Sequence, residues 1–213
     1  MAPPGLRPRG FFFSGVIVNR CAFLVDGLNL HHSALDAEAV AGRRLRRLDV
    51  AGLCRSYAHA LPGRSTIATI DYFSAVAHHR ETDYPSTVAR QVAYFTALQA
   101  TGVDVHLGQF KAKILVCPVC GGRYRAWEEK ETDVAIGARL LELLARDRCD
   151  TAVLVTGDTD LVPALRAAKR LHPDRILGVI QPYRRVNREL SRSADFSLTI
   201  RAASYARHQL STV

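Results

Sequence analysis

Short apolar runs alternate with amphipathic segments along most of this chain. Cys21 to Val25 is continuously apolar and ends at Asp26-Gly27. Runs of this kind, bounded by turn residues, form strands buried on both faces of a parallel sheet. Thr66 to Val76, Val103 to Phe110, Ala152 to Val155 and Ile176 to Ile180 read as further strands, and Phe196 to Ile200 as a sixth. Helical patterns lie between them. Leu30 to Leu61 is helical in pieces, interrupted by the basic stretch Arg43 to Arg47, with Asp49 placed to cap the piece that ends near Pro62. Ser86 to Gln99 carries Val88, Val92, Phe95 and Leu98 at the spacing of one helical face. Thr132 to Arg146 is the strongest helix, and Asp160 to Leu171 is another. Strands alternating with helices predict βαβ units, an α/β fold whose central, mainly parallel sheet is covered on both faces.

Lys111 to Trp127 breaks this rhythm. It holds Cys117-Pro118-Val119-Cys120-Gly121-Gly122 and predicts a small inserted Cys-containing ribbon over 111–127. At ~150 residues per domain, 213 residues make one domain with additions. The expected division is an N-terminal extension over 1–20, a domain over 21–200, and a tail or helix over 201–213. Phe11 to Val18, behind Arg7 and Arg9, has the order of a signal peptide. It is short, and Asn19-Arg20-Cys21 is no small-residue cleavage site, so an extra strand or a tail is the preferred reading. No apolar run reaches the ~18 residues of a membrane-spanning helix.

Composition narrows the class. Hydrophobic residues at 48% and charged residues at 23% exclude a mainly disordered or fibrous chain. Five cysteines, an odd number without framework spacing, fit free thiols in a reducing cytoplasm. The net charge of +9 and a pI near 9.7 point to a polyanionic partner, nucleic acid ahead of an anionic membrane.

Open parallel sheets bind ligands just past the carboxyl ends of their strands. Four aspartates are candidates for that rim. Asp26 ends the first strand, Asp158 and Asp160 follow the fourth, and Asp133 lies in the first turn of the helix after the ribbon. Each has a plain structural use: a turn at Asp26, a helix cap at Asp158 or Asp160, a favourable dipole position at Asp133. Capping needs one acid per helix, however, and Asp158 and Asp160 offer two within three residues. Carboxylates gathered at one rim raise one another's pKa. A hard divalent cation, Mg²⁺ or Mn²⁺, neutralises such a cluster and activates water beside a phosphodiester. An acidic centre on a basic protein is a nuclease-like pattern.

At these residues the sequence resembles a known family. Val25-Asp26-Gly27-Leu28-Asn29 resembles the "D-G-x-N" opening of NYN domains, the LabA-like branch of the PIN-like nuclease superfamily. Glu129-Lys130-Glu131-Thr132-Asp133-Val134 resembles its "E-K-x-x-D-V", and Thr156-Gly157-Asp158-Thr159-Asp160-Leu161 its "S-G-D-S-D-F/L". The segment Ser191 to Phe196 is similar to its usual ending, so the resemblance runs from about Cys21 to Ile200. It implies a PIN-like three-layer sandwich and metal-dependent RNA cleavage. Asp26, Asp133, Asp158 and Asp160 would then ligate Mg²⁺ or Mn²⁺ or position the attacking water. Asn29 and Thr156 would support the site through hydrogen bonds. Lys130 would contact phosphate or simply serve the surface. Thr156 stands where the family usually has Ser, and both carry the hydroxyl.

Cys117 and Cys120 have the spacing of half a zinc knuckle, and a plain ribbon turn is the alternative. A structural zinc there needs further ligands, for which His106, Cys149, Cys54, His78 and His79 are the candidates. Lys111, Lys113, Arg123 and Arg125, interleaved with Tyr124 and Trp127, suit RNA, with aromatic faces stacking on bases and cations holding phosphates. The absence of GxSxG, P-loop and GxGxxG motifs removes serine-hydrolase, NTPase and dinucleotide readings. The sequence therefore predicts a cytoplasmic, metal-dependent ribonuclease with RNA as partner and no membrane, leaving open a homo-oligomer or an inhibitory protein partner. A non-catalytic RNA-binding or regulatory adaptor is the main alternative. A DNA nuclease and a small-molecule phosphatase stand behind it.

Overall fold

A computed structural model describes residues 12–13, 16–42, 44–45 and 47–211. After a minimal hairpin pairing Phe12–Phe13 with Val16–Ile17, the chain runs through strand β1 (Asn19–Asp26), helices α1 (Gly27–Ala41) and α2 (Val50–Ser56), and strand β2 (Ser65–Ala75). Helix α3 (Pro85–Ala100), strands β3 (Asp104–Val116) and β4 (Arg123–Lys130) and helix α4 (Thr132–Ala145) follow. The remainder is β5 (Thr151–Val155), α5 (Val162–Leu171), β6 (Ile176–Gln181), α6 (Arg188–Ser193), β7 (Phe196–Thr199) and α7 (Ala202–Arg207). Polar residues set the boundaries. Asp49 caps α2 by accepting from Gly52 N at 2.8 Å, as the sequence leads one to expect.

The seven strands lie in the order β4-β3-β2-β1-β5-β6-β7. All neighbours are parallel except β3 and β4. One apolar core packs α1, α2, α3 and α7 against one face of the sheet. A second packs α4, α5 and α6 against the other. The chain moves outward from β1 to β4, and α4 then carries it back to β5 on the other side of β1. The carboxyl ends of β1 and β5 therefore flank a topological switch point, where sheets of this kind open a crevice for ligands. No helix among the described residues is long and apolar enough to cross a membrane.

Two details differ from the sequence reading, and a third concerns the C-terminal segment. Val92 is 46% exposed, and Tyr94 is buried instead, its hydroxyl donating to Leu48 O at 3.0 Å. At ~100° per residue, Val92 falls roughly 95° from the centre of the stripe formed by Val88, Tyr94, Phe95 and Leu98. Next, the segment 111–127 does not interrupt the sheet as a separate insertion. β3 pairs with β2 as far as Gly108, then continues as one half of an antiparallel arm, from Gln109↔Lys130 to Val116↔Arg123. At ~3.4 Å per residue the arm overhangs the end of β2 by about 27 Å. No α-helix among the described residues covers it, so its residues lack the apolar alternation of a half-buried strand. Residues 202–207, within the segment expected to be a tail or helix, form α7 and join the core: Tyr205 is fully buried, its hydroxyl 2.6 Å from Ser33 Oγ.

Away from the switch point, several acids are paired with cations. Arg20 and Arg175 both bind Asp147 and Asp150, at 2.7 to 2.8 Å. Asp71 of β2, fully buried, accepts from Arg139 Nε at 2.9 Å and lies 2.7 Å from His106 Nε2. Removing one partner of a buried pair leaves an uncompensated charge. Arg139→Met is expected to lower stability by about 2 kcal/mol, read as a lower urea midpoint at unchanged m. The double change Asp71→Asn with Arg139→Met is expected to recover most of that loss.

Candidate active site

Asp26 is the last residue of β1 and is 5% exposed. One oxygen, Oδ1, accepts from Asn29 N at 3.0 Å and so caps α1. The other, Oδ2, accepts from Thr156 Oγ1 at 2.9 Å. Thr156 is fully buried just past β5, and its hydroxyl also accepts from Asp158 N at 3.0 Å. The side chain of Asn29 reaches across the switch point, where Oδ1 accepts from Gly157 N at 3.0 Å. Asn29 and Thr156 thus tie the ends of β1 and β5 together around the Asp26 carboxylate. Asp158 caps the short 3-10 turn Thr159–Leu161 by accepting from Asp160 N at 3.0 Å. Asp26, read from the sequence as a turn residue, is thus a helix cap, and Asp158, read as a cap of the next helix, caps the 3-10 turn before it.

Asp133 enters from the first turn of α4. Its carboxyl is pushed up to about 6, first by burial and then by the charges of Asp26, Asp158, Glu129 and Asp160. Asp26 is also raised, chiefly by burial, with further contributions from Asp158 and Glu129. Carboxylates from β1, β4, α4 and the turn after β5 thus share one field.

Glu129 is the member that the sequence reading passed over. It stands in the second motif, but attention there fell on the aspartate. Glu129 Oε1 accepts from Thr132 N at 3.2 Å and also from Thr132 Oγ1. This turn sits against Gly108, where an added Cβ would lie 2.7 Å from Lys130 O. Alternation along β4 supplied a clue: 129 shares a strand face with 127, 125 and 123. Gly157 plays a similar part, since a Cβ there would collide with the backbone of Arg185.

The other sequence candidates divide by strand face. Arg123, Arg125 and Trp127 line up with Glu129 on one side of the arm. The register places Tyr124, Lys111, Lys113 and Lys130 on the other side. There Lys111 pairs with Glu131 at 3.1 Å, and both Lys113 and Lys130 pair with Glu128. Lys130 thus points away from the acids, and Tyr124 does not interleave with Arg123 and Arg125. Trp127 stacks on His79 with centroids 4.5 Å apart and stays 41% exposed. Cys117 and Cys120 form the turn of the arm, with Cys117 N donating to Gly122 O at 2.8 Å. Cys54 and Cys149 are buried in the cores and His106 is engaged by Asp71, so none of them completes a zinc site there.

The converging donors are all carboxylate oxygens, ligands for Mg²⁺ or Mn²⁺ rather than for thiolate-seeking metals. Among the described residues no three His, Cys, Asp or Glu side chains form a group that would hold a metal ion between them. An ion that keeps several waters and binds through one or two carboxylates suits such a donor set.

The sequence matches the NYN domain family over residues 20–202. No curated protein matches it. Among solved structures it is similar to a protein of unknown function from Vibrio parahaemolyticus, at 15% identity and a TM-score of 0.57, covering 90% of this chain and 97% of the other. That likeness concerns the fold alone.

The raised carboxyl of Asp133 has a consequence for the metal-free protein. The folded state binds a proton more tightly than the unfolded chain, so stability falls as pH rises from about 4 towards 6 and stays lower above it. Asp133→Asn is expected to raise the melting temperature by about 2–4 °C at pH 7.5 in EDTA, after discounting for solvent, and to leave it unchanged at pH 4. Differential scanning calorimetry at the two pH values checks this.

Proposed function

This chain belongs to the NYN domain family of the PIN-like superfamily, and we propose that it is a metal-dependent endoribonuclease hydrolysing RNA phosphodiester bonds. The observation that carries this reading is the coupling of Asp133 to Asp26, Asp158, Asp160 and Glu129 at the switch point. Uncompensated carboxylates are costly to a folded protein and useful to one that must recruit a cation. A bound Mg²⁺ or Mn²⁺ would lower the pKa of a water and stabilise the leaving oxygen.

The protein's own groups supply the positioning. Asp26, Asp133, Asp158 and Asp160 are the candidates from which one or two carboxylates would hold the ion, with water completing its shell. Asn29 and Thr156 keep Asp26 and the Gly157–Asp158 turn in register. Bases of a single strand would stack on the exposed face of Trp127, and Arg125 and Arg123 would hold phosphates further along the arm. Lys111, Lys113 and Tyr124 face the opposite way and carry no such role. RNA is favoured over small phosphoesters because the net charge of +9 suits a long polyanion.

Labelled single-stranded RNA incubated with Mn²⁺ tests the reading. Asp158→Asn is expected to cut at least about 100-fold more slowly, the equivalent of about 2.7 kcal/mol of transition-state stabilisation. Asn29→Ala, which frees only the Gly157 turn, is expected to lose about tenfold. Equal cleavage by wild type and Asp158→Asn removes Asp158 from the mechanism, and RNA binding that is unaffected by EDTA without any cleavage makes the chain an adaptor. In EDTA, Trp127→Ala is expected to weaken RNA binding by about 1–3 kcal/mol, with Tyr124→Ala unchanged, read by fluorescence anisotropy.

A further inference from the structure

A second basic surface lies on the opposite side of the acidic pocket from the arm. Arg166, Lys169 and Arg170 sit at positions i, i+3 and i+4 of α5 and share one face. Arg188 and Arg192 sit at i and i+4 of α6. The two helices place these five cations, with Glu189 and Ser193, around a cleft of about 790 Å³. Its walls are fixed. Arg166 binds Glu189 at 3.1 Å, and Lys169 binds Asp195. Leu190 is fully buried beneath α6, and Gln181 Nε2 donates to Ser191 Oγ at 2.7 Å.

The charge in the cleft is not balanced. Arg170, Arg188 and Arg192 are exposed and have no ion-pair partner among the described residues. Three guanidinium groups left unpaired in a concave surface form a site for anions. The lining contains no aromatic or aliphatic side chain. A membrane-binding surface carries apolar residues to enter the lipid, and a base-reading surface carries aromatics on which bases stack. This cleft carries neither, only donors for phosphate oxygens.

Position supplies the second argument. α5 follows directly from the Asp158–Asp160 turn, so Arg166 stands six residues past Asp160, about 10 Å along the helix axis. A single strand spans that distance within a few nucleotides. The cleft and the acidic pocket share the face of the sheet covered by α4, α5 and α6.

We infer that the α5–α6 cleft binds the sugar-phosphate backbone of single-stranded nucleic acid, independently of base identity, beside the acidic pocket. The choice of nucleic acid among polyanions rests on the ribonuclease reading. The contact geometry does not depend on it. The cleft holds the strand by charge alone, whereas the arm offers stacking.

The test is binding in EDTA, where nothing is cut, of fluorescent 20-nucleotide oligo-U and oligo-dT from 50 to 200 mM salt. The variant is Arg170→Gln, Arg188→Gln and Arg192→Gln together. Arg166 and Lys169 are left in place because they pair with Glu189 and Asp195, and an unchanged melting temperature confirms folding. Losing three phosphate contacts lowers the slope of log affinity against log salt by about 2 and weakens binding at 50 mM salt at least about tenfold, equally for both oligonucleotides. Unchanged slope and affinity overturn the proposal. Unchanged oligonucleotide binding with lost adhesion to phosphatidylserine vesicles overturns it in favour of a membrane surface. A wild-type protein that shows the charge-dependent binding but cuts no RNA with Mn²⁺ leaves the cleft standing and ends the ribonuclease reading. Cleavage with an unaltered salt slope in the variant does the reverse.

Discussion

Repulsion among carboxylates at the switch point is the constraint around which this protein is organised. The topology leaves little freedom there. β1 and β5 are adjacent and buried, so whatever follows them is delivered to one place. The chain delivers Asp26 and Asp158 there, and α4 returns from the sheet edge with Asp133 in its first turn. Hydrogen bonds offset part of the cost. Both oxygens of Asp26 accept a donor, from Asn29 N and from the Thr156 hydroxyl. Asp133 receives the remainder, and its carboxyl holds a proton up to about 6.

Several acids elsewhere in the sheet are, by contrast, paired with cations. Beneath the pocket, Asp71 meets Arg139 and His106. At the opening of β1, Arg20 grips Asp150 through Nε and a terminal nitrogen, and Arg175 joins it. These are the hydrogen-bonded guanidinium–carboxylate pairs that hold charge well in partly buried places. Asp71, Asp147 and Asp150 are therefore each met by a guanidinium, whereas the acids at the crevice are coupled to one another.

Much of the α/β architecture was legible because its central strands are buried on both faces. Such strands must be apolar throughout, and Cys21 to Val25 and Ala152 to Val155 announce themselves. Asp49 was legible as a cap because the interaction is local, three residues long. What failed was whatever depended on distant packing. Val92 matched the helical spacing, yet the partner surface centred the buried stripe towards Tyr94. The arm beyond Gly108 read as an insertion, since a strand pair with no helix above it gives no apolar rhythm. Tyr124 and Lys130 were grouped with Arg123 and Arg125 by proximity along the chain, whereas alternation in a strand sends them to the other face. Glu129 was missed for the complementary reason: its partners Asp26 and Asp133 come from other elements, and only the folded sheet brings them to it.

The two basic surfaces on either side of the pocket answer different physical demands. A cutting site must hold a flexible polymer on both sides of one bond, because a strand fixed at a single point samples many positions of the next phosphate. The arm carries Trp127 between Glu129 and Arg125, which suits a base whose stacking orients the chain. The α5–α6 cleft carries guanidinium groups alone, which suit a backbone that must be held wherever the sequence falls. Orientation on one side with indifferent retention on the other allows an enzyme to accept many sequences while keeping one geometry at the bond. On the proposed reading, the acids between them would repel that same backbone unless a cation intervened, so productive binding at the crevice would be conditional on metal while binding on its flanks would be free of it.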